Sequence, residues 1–199
     1  MEEGRMGVGT DLTPSITVEL ATADDMMRAG ELIGALLLAG DVLVLTGPLG
    51  AGKTTFARGL GAALNVRGPV TSPTFVLART HPSLGAGPEL IHVDAYRLGD
   101  PAELDDLGLD LAASVTVVEW GREAVPLITD RWLEITIDRS AASPPLEPEV
   151  IEGPGGADWS DDEPLDPRRV TLTVVGPWDR PIAAALGDAL RTEFGVVPA

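Results

Sequence analysis

The sequence predicts an α/β fold, a three-layer sandwich around a mostly parallel central sheet. Three observations carry this. Val42-Leu43-Val44-Leu45-Thr46 is a continuous apolar run between Asp41 and Gly47, the pattern of a strand buried in a parallel sheet. A glycine-rich loop follows at once, Gly47-Pro48-Leu49-Gly50-Ala51-Gly52-Lys53-Thr54, with the G-x-x-x-x-G-K-[ST] spacing of a phosphate-binding loop. Phe56, Leu60 and Leu64 then recur at helical spacing, placing a helix from near Gly52. Strand, loop and helix in that order are the context the motif requires, so the fold is of the P-loop NTPase type.

The remaining elements follow in chain order. Residues 1–15 are glycine-rich and aperiodic and are expected to be a flexible N-terminus, with residues 16–199 forming a single domain. Ile16–Leu20 alternates as a short strand. Thr22 with Asp25 three residues later reads as a helix capping box. Met26, Ala29, Ile33, Leu36 and Leu37 continue at helical spacing to a C-cap at Gly40, with Met26 and Met27 read as core. Further strands are expected at Phe75–Thr80, Leu90–Val93, Val115–Glu119, Trp132–Ile137 and Val170–Val175. A short helix is expected over Pro101–Leu107, with Pro101 in its first turn, and a last amphipathic helix over Pro181–Phe194. Residues 140–167 differ in kind: eight Asp or Glu, six Pro, three Gly and no Lys or Arg. That composition predicts a disordered acidic insertion, or alternatively an acidic peptide that docks a basic partner.

A hydrophobic content of 44% is ample for a core, and no run of 18 apolar residues is present to span a membrane. No signal peptide precedes the domain, which makes the cytoplasm the expected compartment. With no cysteine, disulfides and thiolate metal sites are excluded. The formal net charge of −17 argues against a broad electrostatic footprint on nucleic acid. If the chain acts on RNA, a partner must hold the polymer.

Lys53 is the only lysine; all other cationic side chains are arginine. Around a phosphate the two differ, since lysine presents a compact charge on a long stem. The amides of Leu49, Gly50, Ala51, Gly52, Lys53, Thr54 and Thr55 are expected to cradle the phosphates of a nucleoside triphosphate at a helix N-terminus. Lys53 should reach the β- and γ-phosphates, and the Thr54 hydroxyl should ligate Mg²⁺. A metal carboxylate is expected at the end of a buried strand, and Val115–Glu119 supplies Glu119. Asp94, ending the Leu90–Val93 strand, is a second candidate. It would orient the attacking water or sit in the metal's outer shell; alternatively it pairs Arg97 or caps a turn. His92 shares its strand face and reads equally as a packed core histidine. Ser72-Pro73-Thr74-Phe75 lies where P-loop GTPases place a segment that senses the γ-phosphate, and Ser-Pro reads alternatively as a common turn.

These segments occur in one order: the loop as G-x-L-G-A-G-K-T-T, Ser72-Pro73-Thr74-Phe75, His92-x-Asp94-x-Tyr96-Arg97-Leu98 with Asp100-Pro101-x-Glu103-Leu104, and Glu119-Trp120. Together they resemble the bacterial TsaE (YjeE) family, the ATPase of tRNA threonylcarbamoyladenosine biosynthesis, over roughly residues 16–137 with Val170–Val175 as a final strand. The resemblance implies ATP and Mg²⁺ as cofactors and the TsaB–TsaD heterodimer as partner, with tRNA met only through it. It implies Lys53, Asp94 and Glu119 as the catalytic set, Thr54 and Glu119 as metal ligands, and Ser72 and Thr74 as the nucleotide-sensing switch. It also implies nucleotide contacts at Ala23 and Arg168, and a place for Trp120 near the nucleotide or the partner surface. Gly121 stands where a proline commonly follows Glu-Trp, and Pro48 where the loop often carries an acid.

Two other classes compete. A small-molecule P-loop kinase normally carries an arginine-rich lid in its C-terminal half, where this chain is acidic. A non-catalytic, nucleotide-gated binding module would bind ATP without hydrolysis. A GTPase is disfavoured, because no second lysine exists to build an Asn-Lys-x-Asp guanine motif.

Overall fold

The computed structural model describes residues 14–73, 76–139 and 167–196. Their strands are β1 (Ser15–Leu20), β2 (Val42–Thr46), β3 (Ala78–His81), β4 (Glu89–Asp94), β5 (Ser114–Glu119), β6 (Trp132–Arg139) and β7 (Arg168–Val175). Four helices join them: α1 (Ala23–Gly34), α2 (Lys53–Ala63), α3 (Glu103–Asp106) and α4 (Ile182–Phe194). The strands form one sheet in the order β1-β7-β6-β2-β5-β4-β3. Its centre, β6-β2-β5-β4, is parallel, and β3, β7 and β1 are added antiparallel at the two sides. The apolar run Val42–Thr46 is thus the interior strand its composition predicts.

The two faces of the sheet are covered unequally. One packs against α1, α2 and α4 through Met26, Ile33, Phe56, Leu60, Leu186 and Leu190. Among the described residues the other is closed by α3 and 3₁₀ turns at Ala95–Arg97 and Val125–Leu127, with Leu104 and Val125 over Val42, Val44 and Ile91. The third layer of the expected sandwich is therefore thin. On the thick face α1 and α2 touch backbone to backbone. A methyl group on Gly59 would stand 2.0 Å from Met27 O, and one on Gly30 2.2 Å from Phe56 O. Only glycine permits that approach.

The capping box at Thr22 is present: Asp25 N donates to Thr22 Oγ1 at 3.0 Å, and Thr22 N donates to Asp25 Oδ2 at 3.0 Å. Several boundaries differ from the sequence reading. β1 begins at Ser15, and Pro14 O already accepts from Val174 N, so the ordered domain starts before residue 16. α1 ends at Gly34, not at Gly40. Leu36 N and Leu37 N bond three residues back, to Ile33 O and Gly34 O, so the apolar spacing continues through tightened turns rather than helix. Gly40 has φ +88° in the turn before β2. Met27 is 36% exposed and lies outside the core. β3 starts at Ala78, because Leu77 with φ +62° breaks the strand before it. Residues 1–13 and 140–166 lie outside the described residues, as do Thr74 and Phe75.

Candidate nucleotide-binding site

In a parallel sheet the crevice for ligands opens at the carboxyl ends of the strands. Here β2, β4 and β5 end there at Thr46, Asp94 and Glu119. A cavity of about 650 Å³ at this end is lined by Leu49–Thr55 together with Ser72, Asp94, Tyr96, Arg97, Glu119 and Trp120. All seven loop residues expected to hold phosphates line it, and so do Asp94, Glu119 and Ser72.

The loop is shaped by what its glycines lack. Gly50 has φ +75°, and nothing lies within 4 Å of where its Cβ would be, so its backbone faces open space. Gly52 caps α2 with φ +107° and offers no side-chain bond to the helix's first amides. Those amides, with the positive end of the helix dipole, are left for an anion.

Lys53 begins α2 and is 6% exposed. Its ammonium donates to Gly47 O at 2.9 Å and Pro48 O at 3.1 Å and lies 4.2 Å from the centre of the Trp120 ring. Burial holds its pKa below the usual lysine range, against the opposing pull of Glu119 and Asp94. A cation so placed, bonded only to neutral groups, is poised to gain from an arriving phosphate. Trp120 itself has φ +63°. A bulky residue in that left-handed region costs about 1–3 kcal/mol and persists where the surroundings enforce it. Trp120 N donates to Leu45 O at 3.1 Å, and Tyr96 packs on the ring at 5.7 Å between centroids.

The two carboxylates are register partners on adjacent parallel strands, Asp94 opposite Glu119. Both are buried. Asp94 Oδ1 accepts from Tyr96 N at 3.1 Å and so caps the 3₁₀ turn, while the residue also lines the cavity. Glu119 Oε1 accepts from His92 Nε2 at 2.9 Å and lies 3.4 Å from Thr54 Oγ1. His92 is therefore more than core filling. Its alternation with Asp94 was visible in the sequence, but its bond to Glu119 depends on the β4–β5 register. Tyr96 and Arg97 line the cavity for a similar reason: the 3₁₀ turn folds them back over the strand ends.

Ala23 and Arg168 are not among the lining residues. Both belong to this end of the sheet, Arg168 opposite Leu20 and Arg139 and Ala23 at the start of α1 just after Leu20. The switch candidate Thr74 lies outside the described residues.

The site's chemistry fits a magnesium nucleotide. Its oxygen donors, Thr54 Oγ1 and the Glu119 and Asp94 carboxylates, are the hard ligands Mg²⁺ prefers. Among the described residues no three His, Cys, Asp or Glu gather to hold a metal by themselves. Mg²⁺ is typically bound through one or two carboxylates plus substrate phosphates, so such a site is completed by its nucleotide.

A family model described as "Threonylcarbamoyl adenosine biosynthesis protein TsaE" matches residues 20–144. Relatives carrying the name tRNA threonylcarbamoyladenosine biosynthesis protein TsaE include one from Streptomyces coelicolor, 58% identical over 118 residues, covering 58% of this chain and 80% of that protein. Another, from Mycobacterium tuberculosis, is 45% identical over 141 residues, 66% of this chain and 84% of that protein. Among solved structures, Bacillus subtilis YdiB superposes with a TM-score of 0.62 at 25% identity, covering 92% of this chain and 99% of that one.

Proposed function

The chain belongs to the TsaE family, and from that premise we propose that it is a Mg²⁺-dependent ATPase required for threonylcarbamoyladenosine modification of tRNA, acting with the TsaB–TsaD pair in the cytoplasm. The observation that carries this reading is the buried Lys53 at an uncapped helix start, with Thr54 against Glu119 beside it.

The loop amides of Leu49–Thr55 hold the phosphates, and Lys53 exchanges the carbonyls of Gly47 and Pro48 for phosphate oxygens. Thr54 and Glu119 would hold the magnesium ion, which when bound neutralises charge developing on the transferred phosphoryl group. Asp94, on the neighbouring strand end, orients the attacking water and accepts its proton. Ser72, at the cavity mouth, and Thr74 make the segment that distinguishes ATP from ADP. Tyr96 and Trp120 form the aromatic part of the rim, where a partner would meet the nucleotide. Hydrolysis in this reading drives the partner's cycle rather than altering a small substrate.

A net charge of −17 fits an indirect relation to tRNA, since it disfavours a broad electrostatic footprint on the polymer. No helix among the described residues is long and apolar enough to cross a membrane. The test is ATP turnover and tRNA modification in a reconstituted system. Turnover should rise when TsaB–TsaD is added, and modification should stop without this protein. Unstimulated turnover together with modification that proceeds in its absence would sink the proposal. Tight ATP binding with no hydrolysis under either condition would establish the gated-module alternative instead.

A further inference from the structure

We infer that His92 is a positioning residue that holds the Glu119 carboxylate against Thr54, so that the side chains which would meet a nucleotide-bound divalent cation stand preorganised before the cation arrives. The inference rests on the nucleotide-and-metal reading above. Glu119 ends β5 almost wholly buried, and a buried carboxylate must be given hydrogen-bond donors. Thr54 Oγ1 stands at a long 3.4 Å, whereas His92 Nε2 stands at 2.9 Å. The imidazole is the nearer and better donor.

The register explains how it reaches. His92 pairs with Val117, and Asp94 with Glu119, so His92 approaches Glu119 diagonally from two residues deeper in the sheet. Its ring is fully buried. Donating to a carboxylate fixes the proton on Nε2. The other nitrogen, Nδ1, has no hydrogen-bond partner among the described residues. A fully buried imidazole with one nitrogen unsatisfied is explained by the single bond it makes. Partners of this kind orient ligating groups, and their loss typically weakens metal affinity about 10–100-fold.

The experiment measures binding of a fluorescent ATP analogue to the full chain, in EDTA and across a Mg²⁺ titration. In wild type, Mg²⁺ should strengthen binding. His92→Leu should bind the analogue in EDTA within about twofold of wild type but need about tenfold more Mg²⁺ for half its effect. His92→Gln, whose amide nitrogen reaches the position of Nε2, should recover most of the wild-type midpoint. His92→Asn, whose amide falls short of Glu119, should not; this pair also tests reach if the leucine variant does not fold. On a Glu119→Gln background, His92→Leu should add no further shift. An unchanged Mg²⁺ midpoint in His92→Leu or His92→Asn overturns the role, as does an equal loss of affinity in EDTA. Wild type showing no Mg²⁺ dependence would instead bring down the metal reading and this inference with it.

Discussion

Two tryptophans mark the two ends of the parallel strands, and each carries cations on its ring. At the carboxyl ends Trp120 lies under the Lys53 ammonium. At the amino ends Trp178 is flanked by Arg131, 5.1 Å from its centre, and Arg180, at 5.4 Å. The likeness stops at the counter-charges. Arg131 pairs with Asp179 at 3.1 Å, and Arg180 pairs with the buried Asp41 while donating to Leu36 O at 2.7 Å. Trp178 donates its own indole N–H to Val175 O at 2.9 Å. The Lys53 ammonium, by contrast, among the described residues bonds two carbonyls and faces a ring, beside a cavity. One end of the sheet has its charges closed within the chain, and the other holds a charge in readiness for a ligand.

Breaking each end should therefore injure a different property. The largest effect is expected from Lys53→Ala: partner-stimulated ATP turnover should fall at least about 10²-fold, as for other lost transition-state donors. The melting temperature should not fall, since a buried cation without a counter-ion contact is removed. Phosphate release and a thermal melt check both. At the other end Asp41→Ala should cost about 3 kcal/mol in urea unfolding, because it strands Arg180 and releases Leu38 N from its 2.7 Å bond to the Asp41 carboxylate. Nucleotide affinity should stay within twofold.

The tryptophans themselves sharpen the contrast. Trp178→Leu should cost about 2 kcal/mol, losing two cation–π contacts and an N–H bond while the indole packs on the main core. Trp120→Leu should cost under about 1 kcal/mol, because the side chain is 38% exposed. Equal losses at the two positions would show the ends to be equally structural.

The smallest effect is in pH. The folded-state pKa of Lys53 lies below 10.5, so at pH values below both its folded and unfolded pKa folding bears the cost of burying the charge. As pH rises from the depressed value toward 10.5, the folded lysine releases its proton first and the folded state gains stability. Urea midpoints of wild type, compared with Lys53→Met, should thus rise over that window. A difference that stays flat with pH would show the ammonium to be well solvated.

The sequence made the functional end more legible than the structural one. A phosphate loop works through contiguous backbone, so spacing within Gly47–Thr54 suffices to place it, and Glu119 is marked by the apolar run it ends. The Arg180–Asp41 pair joins residues 139 positions apart and leaves no local trace. The bond from His92 to Glu119 was hidden for the same reason, since alternation gives a strand's face but not its neighbour's register. Leu36 and Leu37 misled in the opposite direction. Apolar residues in tightened turns keep nearly helical spacing, which carried the expected end of α1 too far. Ala23 and Arg168 rested on motif position alone, and neither lines the cavity.

The pairing of Arg139 with Arg168 across β6 and β7 has a consequence for how the chain between them is anchored. Whatever joins these two residues leaves and re-enters at neighbouring points, so the root of the connection is fixed by the ladder and not by its contents. The closure entropy of such a connection grows only with the logarithm of its length, about 0.6 kcal/mol for each doubling. A change of length that leaves the β6–β7 ladder intact would therefore cost little beside the pairing it joins.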